Sequence, residues 1–203
     1  ASDVYKRQSQ PDVSVIVPVG AVDAVLERQV RAIVEQQLDR PFELVLSLNV
    51  SDAAAAAELD RMLAAIGDGC VRVVDSSDRK GAAHARNVGI RASVGRLVAC
   101  CDADDMVHAG WLAALVLGLA DHDAVSGHVI DVFPEPHMAK WHPPATPDSL
   151  PTFLGVPYVL TGNLGVRRAA FDAVVGFDDS LIRCEDIAFG WALVRAGFTL
   201  AYA

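Results

Sequence analysis

The chain lacks an excess of positive charge, since 17 Lys and Arg stand against 26 Asp and Glu for a formal net charge of -9 at pH 7. Proteins that bind nucleic acid through its phosphates need clustered Lys and Arg, so this composition argues against a nucleic-acid partner. The sequence also lacks an apolar run of the roughly 18 to 20 residues that a membrane-spanning helix needs, and a charged-then-apolar secretory leader. We therefore expect a cytoplasmic protein without a transmembrane segment, and we leave peripheral contact with the inner face of a membrane open.

The cysteine and glycine patterns exclude further classes of protein. Cysteines at positions 70, 100, 101 and 184 have neither the paired spacing of a zinc site nor an apparent disulfide framework. No glycine-rich loop follows the first predicted strand, which argues against a dinucleotide-binding dehydrogenase and against a nucleotidyltransferase. The thiols are expected to be reduced and buried.

What the sequence does contain is typical of a packed globular protein. Its 203 residues are 52% hydrophobic and 21% charged, enough to bury one sizeable core. Residues 1–11 are polar and patternless, and we expect a disordered or added leader there. Residues 12–203 are predicted to form a single domain, with a shift in composition near residue 132 that divides it into 12–131 and 132–203. Because 198–203 is patterned as a strand without a following cap, the native chain is expected to continue.

The first half alternates short β-branched runs with stretches of helical periodicity, which is typical of parallel strands joined by crossover helices. The predicted order of strands and helices is strand 13–17, helix 22–38, strand 42–48, helix 53–66, strand 71–74, helix 81–93 and strand 97–101. The second half is predicted as strand 124–132, a proline-rich surface loop 133–157, strand 163–167, helix 168–174, helix 186–196 and strand 198–203.

The most informative stretch is Asp102-Ala103-Asp104-Asp105, directly after the apolar strand 97–101. In open α/β sheets, ligands bind outside the carboxyl ends of the strands. Two carboxylates two positions apart can face one hard divalent cation, such as Mg or Mn, with phosphate oxygens completing its coordination. The alternative is an Asp-rich turn that caps the following helix, and the acidic turn alone leaves both interpretations open.

Further motifs along the chain, taken together with this acidic stretch, resemble those of a known protein family. The ordered set resembles family 2 glycosyltransferases of the GT-A fold over residues 13–203, and it comprises the segments 13–18, 42–45, 80–89, 102–105, 176–178 and 185–186. The resemblance implies an α/β fold of GT-A type, with a doubly wound, mostly parallel sheet, helices on both faces and a smaller acceptor-side subregion. It makes 12–131 the nucleotide-sugar-binding half and 132–203 the half that carries the acceptor site and the catalytic base.

The resemblance also implies roles for donor-site residues. Pro18 and Val19 are similar to the backbone edge that receives the nucleobase, and Asn49 stands where the family usually has an aspartate that contacts uracil. An amide can both donate and accept hydrogen bonds, so base recognition remains open there. The remaining donor positions are Lys80, near base and phosphates, Asp102, near ribose and metal, and Ala103 between the acids.

The metal, base and acceptor positions follow in the same way. Asp104 resembles the direct metal ligand, helped by Asp102, and Asp186 resembles the catalytic base of inverting members. For Asp186 the alternative is capping of the last helix, which acids in a first turn do readily. Arg86 is expected either to orient the donor loop or to be a helix residue tied to the acidic loop. The implied acceptor-binding residues are Glu185, Gly162 and Asn163.

The expected activity is an inverting, metal-dependent transfer of a sugar from a nucleoside diphosphate sugar. The acceptor would be a hydroxyl of a glycan, a lipid-linked molecule or a small molecule, as in cell-envelope or polysaccharide biosynthesis. One alternative is a catalytically silent domain that binds sugar nucleotides, suggested by Asn49 and the altered segment Val19-Gly20. A haloacid dehalogenase-like phosphatase would place its acids after the first strand, whereas three predicted strands precede them here.

Overall fold

The computed structural model describes residues 10–67, 69–130 and 149–203, and in these ranges it forms one large mixed sheet between two layers of helices. The strands are β1 Val13–Val19, β2 Phe42–Leu48, β3 Val71–Asp75, β4 Leu97–Cys101, β5 Ala124–Ser126, β6 Thr152–Phe153, β7 Val156–Pro157, β8 Asn163–Arg167 and β9 Leu200–Tyr202. The helices are α1 Ala24–Val34, α2 Ala53–Ile66, α3 Ala82–Ala92, α4 Trp111–Gly118, α5 Arg168–Ala173 and α6 Glu185–Arg195.

The main sheet has the order β3-β2-β1-β4-β8-β5-β9. Strand β1 pairs in parallel with β2 and β4, and β2 pairs in parallel with β3, as their alternation with helices predicts. Strand β8 runs antiparallel to both β4 and β5, so it enters the sheet at the edge where β4 leaves it, with Cys101 opposite Asn163. The loops after β1, β2 and β4 and the segment before β8 therefore meet at one edge.

The core consists of two apolar clusters, one on each face of the sheet. One cluster packs α1, α2 and α4 against the strands through Leu26, Leu59 and Leu112, and the other packs α3, α5 and α6 through Ile90, Phe171 and Phe189. All seven residues of β1 are buried, as expected for a central strand covered on both faces. The predicted α/β fold with helices on both faces is confirmed.

Local capping explains part of the polar sequence. Asp23 begins α1, and its carboxylate accepts hydrogen bonds from the backbone N–H groups of Val25 and Leu26. Asp52 does the same for Ala54 at the start of α2. Asp52 therefore belongs to a helix cap and does not line the cleft.

Two sequence-based assignments in the second half are wrong. The strand predicted for 124–132 ends at Ser126, and among its remaining residues 131 and 132 lie outside the described ranges. The segment 133–157 is not an irregular loop throughout, because its described end forms the hairpin β6–β7. Leu154 and Gly155 form its two-residue turn with φ of 52° and 78°, the backbone conformation that suits tight hairpins. Residues 133–148 and the leader residues 1–9 lie outside the described part of the chain.

None of the helices in the described residues combines the length and the apolar character that crossing a membrane requires.

The close approach of β4 to β1 depends on Gly95. A Cβ atom at this position would lie 2.6 Å from the backbone nitrogen of Ser14 and 2.7 Å from the carbonyl carbon of Val13. We expect Gly95→Ala to lower the free energy of unfolding by about 1–3 kcal/mol, because backbone atoms must move to admit the methyl group. Urea denaturation measures the change. Gly69→Ala is the matched control, since nothing lies within 4 Å of its Cβ position; equal effects of the two substitutions would contradict the packing described here.

Candidate active site

A cleft of 520 Å³ lies at the edge where the strand ends meet. Pro18 and Asn49 line it from the ends of β1 and β2, and Arg86 lines it from α3. Asp102, Ala103 and Asp104 line it from the loop after β4, and Thr161 and Glu185 complete the wall. The predicted donor, metal and acceptor residues Pro18, Asn49, Asp102, Ala103, Asp104 and Glu185 therefore share one cavity.

Arg86 is the buried centre of this wall. Its side chain is 3% exposed, and its guanidinium donates to Asp102 Oδ1 at 2.5 Å and to Glu185 Oε1 at 3.0 Å. Burial opposes the charged form, but the carboxylates of Asp102 and Glu185 outweigh it and raise the pKa of Arg86 above its ordinary value. Arg86 thereby links the acidic loop after β4 to the first turn of α6, as the structural interpretation of this residue predicts.

The next residue of α3 fixes a different segment. Asn87 is buried, its amide nitrogen donates to Phe177 O at 2.8 Å, and its amide oxygen accepts from Phe177 N at 3.0 Å. Gly176, with φ of 82°, leaves room for this amide, because a Cβ there would lie 2.7 Å from Asn87 Oδ1. The guanidinium carbon of Arg86 lies 6.0 Å from the centre of the Phe177 ring. The Gly176-Phe177 motif is thus a packing partner of Arg86 and Asn87.

Two glutamines, one on α1 and one just after it, hold the backbone between the acidic loop and the start of α4. Gln29 is fully buried, donates to Asp102 O at 3.0 Å and accepts from Val107 N at 2.9 Å, which clamps both ends of the turn. Gln36 makes the equivalent pair with His108 O and Leu112 N. Sequence reasoning missed both residues. Their signal is a pair of glutamines seven positions apart within the apolar periodicity of residues 22–38, where a buried amide needs partners. Gln29 lies on α1, and Gln36 follows the end of that helix.

The carboxylates of the acidic loop differ in what they contact. Asp104 is exposed and makes no hydrogen bond or ion pair within the described ranges. Asp102 uses Oδ1 for Arg86, while its Oδ2 lies 3.1 Å from the position that a Cβ at Gly162 would occupy. The donor set suits a hard divalent cation. Across residues 10–67, 69–130 and 149–203 no group of three or more His, Cys, Asp and Glu could hold a metal, so ligand oxygens would have to complete the coordination.

The side chain of Asn49 is hydrogen-bonded to the loop between β3 and α3. Its amide nitrogen donates to the carbonyl oxygens of Ser76 and Arg79, and its amide oxygen accepts from Gly81 N at 2.9 Å. Both N–H donors are therefore used, and only one lone pair of the oxygen remains for a ligand. Asn49 lines the cleft, yet its main structural work is to hold the segment between β3 and α3.

Of the other predicted donor residues, some line the cleft and some do not. Val19 is buried, and its carbonyl accepts from Asn49 N at 2.8 Å, so its side chain belongs to the core and does not line the cleft. Lys80 is exposed and also absent from the cleft wall, and within the described residues it makes no hydrogen bond or ion pair. Pro18 and Ala103 lie on the wall as expected.

The two acids that begin α6 are also unequal. Glu185 reaches the cleft and Arg86. Asp186, the predicted base, is half-buried, does not line the cleft and accepts from Ile187 N at 2.8 Å. Burial raises the pKa of Asp186, helped by the charge of Glu185 and opposed by the Ile187 hydrogen bond. Asp186 thus accepts a backbone hydrogen bond within the first turn of α6, while the N-cap residue Cys184 makes no side-chain capping bond. The raised pKa of Asp186 means that the carboxyl group holds its proton more tightly than an ordinary aspartate does.

Gly162 and Asn163 do not line this cleft. Both line a second cavity beside it, and the Asn163 side chain contacts Trp111 and the backbone of His128. Thr161, which no sequence motif indicated, lines the main cleft in their place.

The sequence profile of glycosyl transferase family 2 matches residues 14–175, most of the chain. The chain belongs to glycosyl transferase family 2. The resemblance inferred from the motifs is therefore confirmed at the level of the family.

Two similar proteins have curated names. The pre-mycofactocin glycosyltransferase of Mycobacterium tuberculosis (strain CDC 1551 / Oshkosh) is 28% identical over 96% of this chain and 41% of its own length. Glycosyltransferase AglE of Haloferax volcanii is 26% identical over 95% of this chain and 64% of its own length. The chain thus spans less than two thirds of the length of these relatives.

Solved structures of glycosyltransferases share the fold. The mannosyltransferase PcManGT from Pyrobaculum calidifontis, in complex with GDP-Man and Mn2+, superposes with a TM-score of 0.73 at 23% identity, over 96% of this chain and 55% of that one. S. aureus TarS 1-349 in complex with UDP-GlcNAc gives 0.72 at 18% identity, over 95% and 56%. GalNAc-T7 with UDP, GalNAc and Mn2+ gives 0.74 at 16% identity, over 97% and 43%. These similarities confirm the GT-A fold.

Replacing the buried cation tests its structural role. Arg86→Met leaves Asp102 and Glu185 without their shared partner, and we expect the free energy of unfolding to fall by at least about 2 kcal/mol in urea denaturation. The loss is smaller than for a fully buried ion pair, because water partly solvates Asp102. The double variant Arg86→Met/Glu185→Gln should recover part of the loss, because it removes one of the orphaned charges.

Arg31→Met is the control for this series. Arg31 pairs with Glu27 on the exposed face of α1, and such pairs contribute less than about 1 kcal/mol. If Arg86→Met were no more destabilising than Arg31→Met, Arg86 would not hold the two segments together.

Proposed function

We propose that this domain transfers a sugar from a nucleoside diphosphate sugar to a hydroxyl acceptor, with inversion at the anomeric carbon and with a divalent cation. The observation that carries the proposal is the shared cleft, in which Asp102 and Asp104 from the loop after β4 face the same cavity as Glu185 from the start of α6. Arg86 joins Asp102 to Glu185. Membership of glycosyl transferase family 2 supports it. The acceptor would be a hydroxyl of a glycan, a lipid-linked molecule or a small molecule.

Asp104 and Asp102 would hold the cation, Mg or Mn. When bound, such an ion neutralises charge on a diphosphate and stabilises the charge that develops on the leaving group. Asp104 suits this role because its carboxylate is exposed on the cleft wall and has no protein partner among the described residues. Asp102 is oriented by Arg86, which leaves Oδ2 for the ligand side. The structures of PcManGT and GalNAc-T7, both solved with Mn2+, support the choice of a divalent cation.

The donor would lie across the strand ends. The nucleobase would meet Pro18 and the amide oxygen of Asn49, and the diphosphate would meet the acidic loop. Ala103 lies between the two acids on the wall. Because its side chain is only a methyl group, the backbone there would lie close to the donor. The structural neighbours were solved with GDP-Man, UDP-GlcNAc or UDP, which differ in base and sugar. They support a sugar nucleotide and indicate no single one.

Asp186 would accept the proton of the attacking hydroxyl. A carboxyl group whose pKa is raised by burial is a stronger base than an ordinary aspartate once it has lost its proton. Glu185 would help to position the acceptor and would hold α6 against Arg86. The hydroxyl oxygen forms the new bond to the anomeric carbon as the bond to the diphosphate breaks, and its proton passes to Asp186.

A second candidate function is sugar-nucleotide binding without turnover. Two contacts favour it, because each occupies a side chain that the transferase would use. Ile187 N donates to Asp186, and Gly81 N donates to the amide oxygen of Asn49. The experiments below separate the two functions, because a silent domain would bind donor and cation and release no nucleoside diphosphate with any acceptor.

Substituting the two central acids should separate chemistry from binding. We expect Asp186→Asn to lower turnover of a nucleoside diphosphate sugar by about 100-fold or more, because the base is lost, while donor binding is largely retained. Asp104→Ala should instead weaken binding of the donor in the presence of Mn by about tenfold or more. Release of nucleoside diphosphate and titration calorimetry are the two measurements.

Asp172→Asn, an exposed acid on α5, is the control and should match the parent in both measurements. Turnover of Asp186→Asn equal to that of the parent would refute the assignment of the base.

The pH dependence of turnover should depend on the negative charge of Glu185, which lies next to the proposed base Asp186. Activity needs deprotonated Asp186, so the rate falls as pH drops through its raised pKa. Glu185→Gln removes a negative charge that raises this pKa, so we expect the acid limb of the kcat/KM profile to move to lower pH. Glu58→Gln, at a half-exposed position on α2 whose partner is Arg61, should leave the limb in place. An unchanged limb, or a shift to higher pH, in Glu185→Gln would contradict the proposed electrostatics.

A further inference from the structure

A second cavity, of 350 Å³, lies on the other side of the acidic loop from the donor cleft. Its wall includes Asp105, Met106, His108, Trp111, His128 and Gly162. We infer that this cavity binds a hydroxylated ring of the acceptor, such as a pyranose unit, beside the donor sugar. The inference rests on the proposed function, because it treats the main cleft as the donor site.

The two cavities are neighbours along two chain segments. In the acidic loop, Asp102 and Asp104 line the donor cleft, and Asp105 lines the second cavity. In the segment before β8, Thr161 lines the donor cleft, and Gly162 lines the second cavity. A Cβ at Gly162 would lie 3.1 Å from Asp102 Oδ2 and 3.2 Å from Asp105 Oδ2. The two cavities therefore adjoin at Gly162 and the acidic loop, so a molecule in the second cavity would lie next to a diphosphate held by Asp102 and Asp104.

The wall is held in place by the protein itself. Trp111 packs against the core cluster of α1, α2 and α4, and its indole N–H donates to Asn163 Oδ1 at 2.9 Å. Asn163 is 9% exposed, and its amide nitrogen donates to His128 O at 2.9 Å. Gly127 makes room for this amide, because a Cβ there would lie 2.7 Å from Asn163 Nδ2. Such a preorganised wall lowers the cost of ordering side chains around a ligand.

Asn163 therefore acts as a positioning residue for this cavity. Both ends of its amide are used by Trp111 and the His128 backbone, so it fixes the indole and the segment after β5 relative to each other. The acceptor role that the family resemblance implies for Asn163 would be exerted through Trp111 and His128.

The chemistry of the wall suits a sugar ring. Aromatic side chains offer flat apolar surface, and a pyranose has C–H groups that can lie on it, while its hydroxyls need polar partners at the edge. Here Trp111 and Met106 supply apolar surface, and Asp105, His108 and His128 supply polar groups around it.

The test measures binding of simple glycosides to the whole chain. Methyl β-D-glucopyranoside and methyl α-D-mannopyranoside are titrated in the presence of diamagnetic Mg and UDP or GDP, and binding is followed by chemical-shift changes of backbone amides. We expect shifts at residues that line the second cavity. The double variant His108→Ala/His128→Ala, at two exposed positions, should weaken binding several-fold, and Trp111→Ala should weaken it by about tenfold or more.

Leu117→Ala is the matched control, because Leu117 is 74% exposed on α4 and does not line the cavity. Its glycoside affinity should equal that of the parent. The inference is overturned if the parent binds neither glycoside, if the shifts fall elsewhere, or if the His108→Ala/His128→Ala variant binds as the parent does. Calorimetry of UDP and GDP with Mn on the same parent preparation reports the donor cleft separately, and failure there counts against the proposed function.

Discussion

The buried guanidinium of Arg86 is the interaction on which the site depends. An isolated buried cation is costly, and here two carboxylates from distant parts of the chain offset that cost. Asp102 follows the fourth strand and Glu185 begins the last helix, so one side chain sets the spacing between the acid loop and the helix that carries Asp186. The cleft exists because these three segments are held at a fixed distance from one another.

Neutral amides do most of the remaining positioning around the cleft. Gln29, Gln36, Asn49, Asn87 and Asn163 each donate and accept at the same time, and each clamps backbone groups of a loop or a ring at this edge of the sheet. An amide can do this without adding charge to a region that already holds several acids. The loops are thereby fixed by uncharged groups, and the exposed carboxylate of Asp104 is left for a ligand.

Local patterns in the sequence were enough to predict the strands of the first half, the α/β fold and the acidic loop, because apolar runs and periodicity report burial directly. The roles of Asn49 and Asn163 could not be predicted, since their partners are set by tertiary structure and lie 27 to 52 residues away along the chain. The hairpin β6–β7 was missed because a Leu-Gly turn gives a weak signal within a proline-rich segment.

The most direct test of the account is to locate a bound cation relative to the last helix. With Mn2+ and a nucleoside diphosphate added, paramagnetic broadening of backbone amide signals should be strongest at residues 102–105 and should also reach 185–187. That result would place the metal between the acidic loop and the start of α6. Broadening confined to other surface acids, or absent from 185–187 when the acidic loop is broadened, would contradict a shared site for the cation and the catalytic helix.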